Sequence, residues 1–529
     1  VKWFGGFFLL ALALSSFPKS SQALIIVHSN DDLGELEPCG CRTNPLGGYA
    51  RKANLLKSLK SEADGSQMLQ LDAGDLLYPS NVVPDLLKAQ SLVQARYNLK
   101  TLSILHHDAV VPGEKDFALG TKSLLKLVKD SKIHFLAANL LYKKTSKPVF
   151  PASEIFVRKN EKGKTLRIAV VGLVGNDLEW PDDLRASDPI STAKKLLPEL
   201  RKKADLVIAL THEGFSADKL LAEKTSGIDY IIGGHTQSFL QTPFHQGKTV
   251  IFQSSFRDQY VGLINPSVAQ SKDTSENNTD ANSFYRLIGL DAGYDSPADK
   301  PGPVDQLVTE FKAEVARVNT AELKREAKNN STSEAHEKYQ TFPRCAECHL
   351  KQFDFWRKTP HMNALHPLIE AKQDKNLECL SCHTVGLGDP KGFSRVDHLA
   401  QMKVASKEDA PVFATNEEFA QYLADVRDAK NLASKVTLFK KDVSVRDSLG
   451  TLETAWTPVQ CENCHTPGFD HPFNNSDQLK VTKKVETTTC ITCHTATRAP
   501  AWYGSDGKPD WKIVQEKRGL IACPAGENE

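Results

Sequence analysis

Residues 206–235 read LVIALTHEGFSADKLLAEKTSGIDYIIGGH. Two short apolar runs, Leu206-Val207-Ile208-Ala209-Leu210 and Ile228-Asp229-Tyr230-Ile231-Ile232, flank an amphipathic stretch, and a histidine stands just beyond each run, at His212 and His235. Such runs read as buried strands, and the stretches between them as helices. The pattern continues in both directions. Upstream lie Leu24-Ile25-Ile26-Val27, Met68-Leu69-Gln70-Leu71 and Arg167-Ile168-Ala169-Val170-Val171; downstream lies Thr249-Val250-Ile251-Phe252. Thr121–Asp130 and Ser191–Ala204 carry helical spacing, and the polar Ser271–Ser283 reads as a surface loop. Strand–helix alternation from Leu24 to about Asp291 specifies an α/β domain.

In an α/β sheet the carboxyl ends of parallel strands share one edge, where side chains from distant segments converge. Five metal-type residues sit just past apolar runs: Asp31, Asp75, Glu114, His212 and His235. Carboxylates and imidazoles meeting at one edge suit a divalent cation. The pair in Glu37-Pro38-Cys39-Gly40-Cys41 admits three readings: a loop disulfide, a soft metal-ligand pair, or a redox-active thiol pair.

The chain has 529 residues, room for two to four domains at roughly 100–200 residues each. Hydrophobic residues make up 40% and charged residues 25%, which excludes collagen-like, wholly disordered and polytopic membrane proteins. Sixty-six basic and 65 acidic residues nearly cancel, so nothing points to nucleic acid as a partner. The opening Val1-Lys2, the apolar run Trp3–Leu14 and the small Ser21-Gln22-Ala23 have the form of a cleaved secretory signal. The apolar run is too short for the ~20 residues a bilayer span needs. The expectation is therefore a periplasmic chain without stable membrane insertion after signal removal, divided at 1–23, 24–300, 301–338 and 339–529.

Helical spacing from Val304 to about Lys328 ends at Asn329-Asn330-Ser331-Thr332-Ser333, a connecting helix followed by a linker. Beyond Lys338 the apolar runs stop, and one motif recurs. Cys345–His349, Cys379–His383, Cys461–His465 and Cys490–His494 all have the form Cys-x-x-Cys-His, where chance at this composition gives about 0.007. The cysteines are Cys345, Cys348, Cys379, Cys382, Cys461, Cys464, Cys490 and Cys493. Two thiols at this spacing add to the two vinyl groups of a haem, and the adjacent histidine (His349, His383, His465 or His494) is set beneath the iron. Zinc ribbons space their Cys pairs ~15–20 residues apart; here the intervals are 30, 78 and 25. Four covalently attached haem c groups are expected. His336, His361, His366, His398 and His471 outnumber Met362 and Met402 as distal ligands, which favours low-potential, bis-histidine haems. Cys523 is left without a role.

The segments CAECHLKQFDFWRKTPHMNAL (345–365), CLSCHTVGLG, VQCENCHTPGFDH and CITCHTATRAPAW resemble the tetrahaem cytochromes c of nitrifying bacteria over roughly Tyr339–Tyr503. That resemblance implies a mainly α, partly irregular domain, and distal ligands at His361 and His471. The N-terminal segments IIVHSNDDLGELEPCGC, GGYARKANLL, LQLDAGDLL, VVPGEKDF, VIALTHEG and IDYIIGGHTQ resemble the calcineurin-like metallophosphoesterases, in particular the periplasmic 5′-nucleotidases. This implies a four-layer α/β/β/α sandwich and two metals bridged by an aspartate. The departures from the pattern are specific. The family's Asn-Asp-x-His-Gly reads Asn30-Asp31-Asp32-Leu33-Gly34, its Gly-Asn-His-Glu reads Gly113-Glu114-Lys115-Asp116, and its Gly-His-Thr-His ends in Gln237. Lys115 thus stands at the position of the family's catalytic histidine. One metal position can still be built from Asp75, Glu114, His212 and His235; the other keeps Asp31 and the bridging Asp75.

The resulting expectation is an electron-carrying multihaem cytochrome, with periplasmic redox proteins as donor and acceptor and a degenerate phosphoesterase-like domain at its N-terminus. The alternatives are a redox enzyme acting on a small nitrogen or sulfur substrate at an open haem, and a metal-dependent phosphoester hydrolase linked to haem.

Overall fold

The computed structural model describes residues 24–38, 45–62, 68–160, 163–267, 284–330, 338–389, 392–393, 396, 400–404, 407–410, 415–428, 451–468, 481–482, 484–504 and 506–524. The signal-like segment 1–23, the Cys39/Cys41 pair, the loop Ser271–Ser283, most of the linker, His336, His398 and His471 lie outside the described residues.

Two six-stranded sheets form the N-terminal half. The first runs Tyr285–Gly289, Tyr260–Ile264, Ile25–Ser29, Met68–Asp72, Ala109–Val110, His134–Phe135. The second runs Phe244–Gln246, Thr249–Phe252, Tyr230–Gly233, Leu206–His212, Thr165–Val174, Ser153–Lys159. The central strands of each sheet are parallel; antiparallel strands close both edges of the second sheet and one edge of the first, whose other edge, His134–Phe135, is parallel. The strands are apolar on both faces because both are covered, as parallel sheets require. Side chains alternate across the second sheet. Ile168, Val170, Ile208, Leu210, Ile232, Val250 and Phe252 face the core shared with the first sheet. Ala169, Val171, Val207, Ala209, Ile231 and Ile251 pack outward on Ala193 and Leu197 of the helix Pro189–Lys203 and on Leu221 of the helix Phe215–Lys224. The helices Tyr49–Glu62 and Lys88–Leu105 cover the other sheet, giving four layers, α/β/β/α.

The two sheets approach closely at Gly172, where a Cβ would lie 2.1 Å from the Leu136 carbonyl oxygen. Backbone on one side and backbone on the other leave nothing to move aside. Gly172→Ala is expected to destabilise the domain by ~1–3 kcal/mol, read as a lower denaturation midpoint.

The helix Pro303–Asn330 lies against Lys88–Leu105, with the Tyr97 and Phe311 rings 5.6 Å apart. Gln90 ties the two halves of the chain. Its Oε1 accepts from Asn319 Nδ2 at 2.7 Å and from the Leu377 N–H at 3.0 Å, and its Nε2 donates to Asn376 Oδ1 at 2.7 Å. The C-terminal half is mainly short helices, including Thr341–Cys348, Leu350–Trp356, Leu377–His383, Cys461–Cys464 and Trp511–Gly519. They surround a second core of Phe342, Phe353, Trp356, Leu365, Leu380 and Phe419. This half also contains a three-stranded antiparallel sheet of Lys407–Ala410, Ala400–Val404 and Thr451–Ala455, which the expectation of a helical and irregular domain did not include. The central strand alternates Ala400, Met402 and Val404 with Gln401 and Lys403, but its partner strands are largely polar, so the segment as a whole reads as a polar insertion. Among the described residues no helix is long and apolar enough to cross a membrane.

Candidate functional site

The parallel strands end on loops that bring four of the expected metal-type residues together. Asp75 follows Met68–Asp72, Glu114 follows Ala109–Val110, His212 closes Leu206–His212, and His235 follows Tyr230–Gly233. One ligand atom from each lies within 4.8 Å of all the others. The His212 Nδ1–H donates to the Ala73 carbonyl at 2.6 Å. Its Nε2 then faces two carboxylates, Glu114 Oε2 at 3.1 Å and Asp75 Oδ2 at 3.5 Å. His235 Nδ1 lies 3.3 Å from Glu114 Oε1. A ring nitrogen turned on two carboxylate oxygens is stable only with a positive charge between them, a proton or a metal ion. Burial works to lower the His212 pKa, but the field of Asp75 and the bonds to Asp75 and Glu114 hold it well above the imidazole range. Glu114 is likewise held far below the usual carboxylate range, against its burial, by its bonds to His212 and His235. The donor set of two carboxylates and two imidazoles fits one divalent cation of the zinc or manganese class.

Asp31 sits beside this group rather than in it. Its Oδ2 accepts from Asn30 Nδ2 at 2.8 Å and from the His235 N–H at 3.0 Å, while its buried Oδ1 has no partner. Burial pushes its pKa up to about 7. Lys115 places its ammonium on Asp75 Oδ2 and 3.3 Å from Glu114 Oε1, and its backbone N–H donates to Asp75 Oδ1 at 3.0 Å. Asp31, Leu33, Asp75, His235 and Gln237 all have positive φ, between 53° and 75°. For a leucine this costs ~1–2 kcal/mol. Leu33 retains the strained backbone of a site loop while presenting an apolar side chain. Gly113 is required by close approach, since a Cβ there would stand 2.2 Å from Asp75 Oδ1.

Several site residues were not singled out from the sequence. Asp116 accepts N–H bonds from Leu76, Leu77 and Gly113 at 2.8, 2.8 and 2.9 Å, clamping the Asp75 loop to the Glu114 loop. Behind them, fully buried Lys52 donates to Asp258 Oδ1 at 2.8 Å and Ser29 Oγ at 2.9 Å. Arg257 donates its N–H to the Asp31 carbonyl at 2.7 Å and pairs with Glu35. Lys52 is one of three lysines in the helix Tyr49–Glu62, so residue type alone did not single it out.

In the C-terminal half all four Cys-x-x-Cys-His segments are placed, apart from the side chains of Glu347 and Cys348, which are outside the described residues. They meet in two pairs: the Cys461 thiol lies against Cys345, and Cys382 lies against Cys493. His383 Nδ1–H donates to the Ala364 carbonyl, and His465 Nδ1–H to the Thr482 carbonyl, each at 2.6 Å. Fixing Nδ1 this way sets the tautomer and leaves Nε2 as the ligand nitrogen, so these residues fit haem. The His361 ring lies 6.3 Å from that of His494, and Trp502 stacks on His494 at 4.3 Å. Burial lowers the pKa of His361, His383 and His494, keeping each neutral with a lone pair. Of the other distal candidates, Met362 is packed in the apolar core, and exposed His366 pairs with Glu370 at 3.2 Å. Cys523 is exposed and lies near Cys461 and Cys464.

Comparison with known proteins agrees with both halves. The calcineurin-like phosphoesterase family matches residues 28–239, and the family "cytochrome c554 and c-prime" matches residues 344–410. The latter span contains the first two Cys-x-x-Cys-His segments. The chain is 30% identical over 238 residues to the 5′-nucleotidase of Vibrio vulnificus, covering 40% of each protein. It is 29% identical over 257 residues to human 5′-nucleotidase, covering 44% of this chain and 42% of that one. It thus spans about two fifths of the length of the curated relatives it matches. Among solved structures, the sulfate thiohydrolase SoxB of Thermus thermophilus aligns with a TM-score of 0.45 at 20% identity, covering 56% of this chain and 61% of that chain. A 5′-nucleotidase precursor of Thermus thermophilus aligns with a TM-score of 0.43 at 20% identity, covering 66% and 68%. The chain joins a calcineurin-like phosphoesterase domain of the 5′-nucleotidase kind to a C-terminal cytochrome c554-type segment, which implies haem in one half and a divalent metal in the other.

Proposed function

We propose that this chain is an exported multihaem c-type cytochrome that carries electrons between periplasmic redox proteins, with the phosphoesterase-like domain attached to it. The observation that carries the reading is the gathering of four Cys-x-x-Cys-His segments into one small region, with His383 and His465 each fixed through Nδ1. Thioether links hold haem in place, and bound haem supplies a one-electron couple. The protein supplies ring orientation, through the Ala364 and Thr482 carbonyls, and close spacing between the attachment sites, through the contacts Cys345–Cys461 and Cys382–Cys493.

A pyridine haemochrome assay on the purified, exported protein is expected to give four haems per chain, and the Cys490→Ser/Cys493→Ser variant three. A redox titration is expected to place most of the midpoints below zero. Absence of covalent haem after expression with the attachment machinery would overturn the reading, and potentials mainly well above zero would remove the bis-histidine part of it.

A second reading, metal-dependent hydrolysis of a phosphoester, is favoured by the Asp75–Glu114–His212–His235 cluster. Phosphate release from a nucleoside monophosphate that requires added Mn²⁺ or Zn²⁺ would support it. No release above the Glu114→Gln variant would set it aside.

A further inference from the structure

The four-residue cluster provides for one cation; the two-metal plan of the phosphoesterase family requires a second, adjacent one. The structure places something else there. The Lys115 ammonium lies on Asp75 Oδ2, the carboxylate that would have to bridge two ions, and reaches Glu114 Oε1 at 3.3 Å. The other oxygen of Asp75 is held by the Lys115 backbone N–H at 3.0 Å. The donors left for a second ion are few. Asp31 Oδ2 is engaged by Asn30 and His235, so only its Oδ1 is unpartnered, and Leu33 is apolar and buried. One carboxylate oxygen, even with the neutral amide of Gln237 counted beside it, falls short of the four or more donors a divalent ion takes.

Lys115 adds a fixed positive charge beside the Asp75 and Glu114 carboxylates, which lowers the need for a second cation there. Lys115 is only 17% exposed, so this ammonium is held inside the site and not in solvent.

We propose that the N-terminal domain binds a single divalent cation at Asp75, Glu114, His212 and His235, and that the Lys115 ammonium permanently holds the place of the second. The resident charge is then covalent and independent of metal supply. The proposal rests on the N-terminal geometry alone and stands or falls separately from the haem reading.

The test uses the full-length, haem-loaded protein, stripped with chelator and reloaded with excess Mn²⁺. Bound manganese is counted against haem, and electron paramagnetic resonance is recorded after reduction silences the low-spin haems. Wild type is expected to hold one Mn²⁺ with an isolated-ion spectrum, and Glu114→Gln to lower its affinity at least tenfold. Lys115→Arg, which keeps the charge, is expected to stay at one. The double variant Leu33→His/Lys115→Gln is expected to take two ions with an exchange-coupled spectrum. Haem content and circular dichroism report that each variant has folded. Two coupled ions in wild type, no ion in wild type, or a double variant that still holds one would each overturn the proposal.

Discussion

Lys52→Met is expected to cost the N-terminal domain about 3–5 kcal/mol, because it leaves a buried carboxylate without its countercharge. The Lys52 side chain and its partner Asp258 are both fully buried, 2.8 Å apart. Asp258 Oδ2 has no other partner, so its stabilisation runs through Lys52. Two further carboxylates lean on the same ammonium. Asp32 accepts from the Tyr49 hydroxyl at 2.7 Å, and Asp72 accepts from Ser29 Oγ at 2.6 Å, the same Ser29 that Lys52 holds. Methionine nearly preserves the volume, so the cost is electrostatic and not a cavity. The measurement is guanidinium unfolding followed by Trp180, the one tryptophan between residues 24 and 330. The double variant Lys52→Met/Asp258→Asn is expected to recover a large part of the loss. Asparagine is the suitable replacement because position 258 has φ 51°, a region Asn tolerates. A single variant within 1 kcal/mol of wild type would show that the pair contributes little. The same variant should loosen metal binding, since Asp32 is next to Asp31 and Asp72 ends the strand that leads to Asp75.

This network also shows where sequence reading stops. The helix Thr121–Asp130 and the strand Thr249–Phe252 were readable to the residue, because an amphipathic stripe and a four-residue apolar run are local signals. The connecting helix read from Val304 to Lys328 is Pro303–Asn330. The metal cluster was readable because each of its members follows an apolar run and the α/β plan sends those ends to one edge. What could not be read depends on pairs far apart in the chain. Lys52 and Asp258 are 206 residues apart, and neither has a local pattern that names the other. Arg257 looks like a loop residue until the fold sets its N–H on Asp31. Lys115 was legible as a departure from a motif, but its attachment to both oxygens of Asp75 needed coordinates. The sheet at Ala400–Val404 was missed because that run is only five residues long and its partner strands Lys407–Ala410 and Thr451–Ala455 are largely polar.

His361→Ala is expected to open one haem to small ligands. Two metal–imidazole bonds of about 2 Å in line put the ligand nitrogens about 4 Å apart, and each ring centre lies about 1.1 Å further out. The sum is close to the 6.3 Å between the His361 and His494 rings. His494 belongs to the fourth Cys-x-x-Cys-His segment, so a haem held by Cys490 and Cys493 would have His361 as its expected distal residue. The ring of His494 is held by stacking on Trp502 at an interplanar angle of 10°, and the Tyr503 hydroxyl donates to its backbone carbonyl at 2.9 Å. The proximal side is therefore rigid, and removing the distal ring should not displace it. The reduced variant is expected to bind one more CO per chain than wild type, and the oxidised variant to gain a high-spin absorption band. His366→Ala is the control, since His366 is exposed and paired with Glu370, and its spectrum should match wild type. A CO stoichiometry unchanged by His361→Ala, with four haems still attached, would separate His361 from the iron and leave its approach to His494 a packing contact. If the extra CO binding is lost when Cys490 and Cys493 are also replaced, the assignment to the fourth haem stands. If it persists, His361 serves one of the other three, and His383, which also lies close to His361, becomes the first alternative partner.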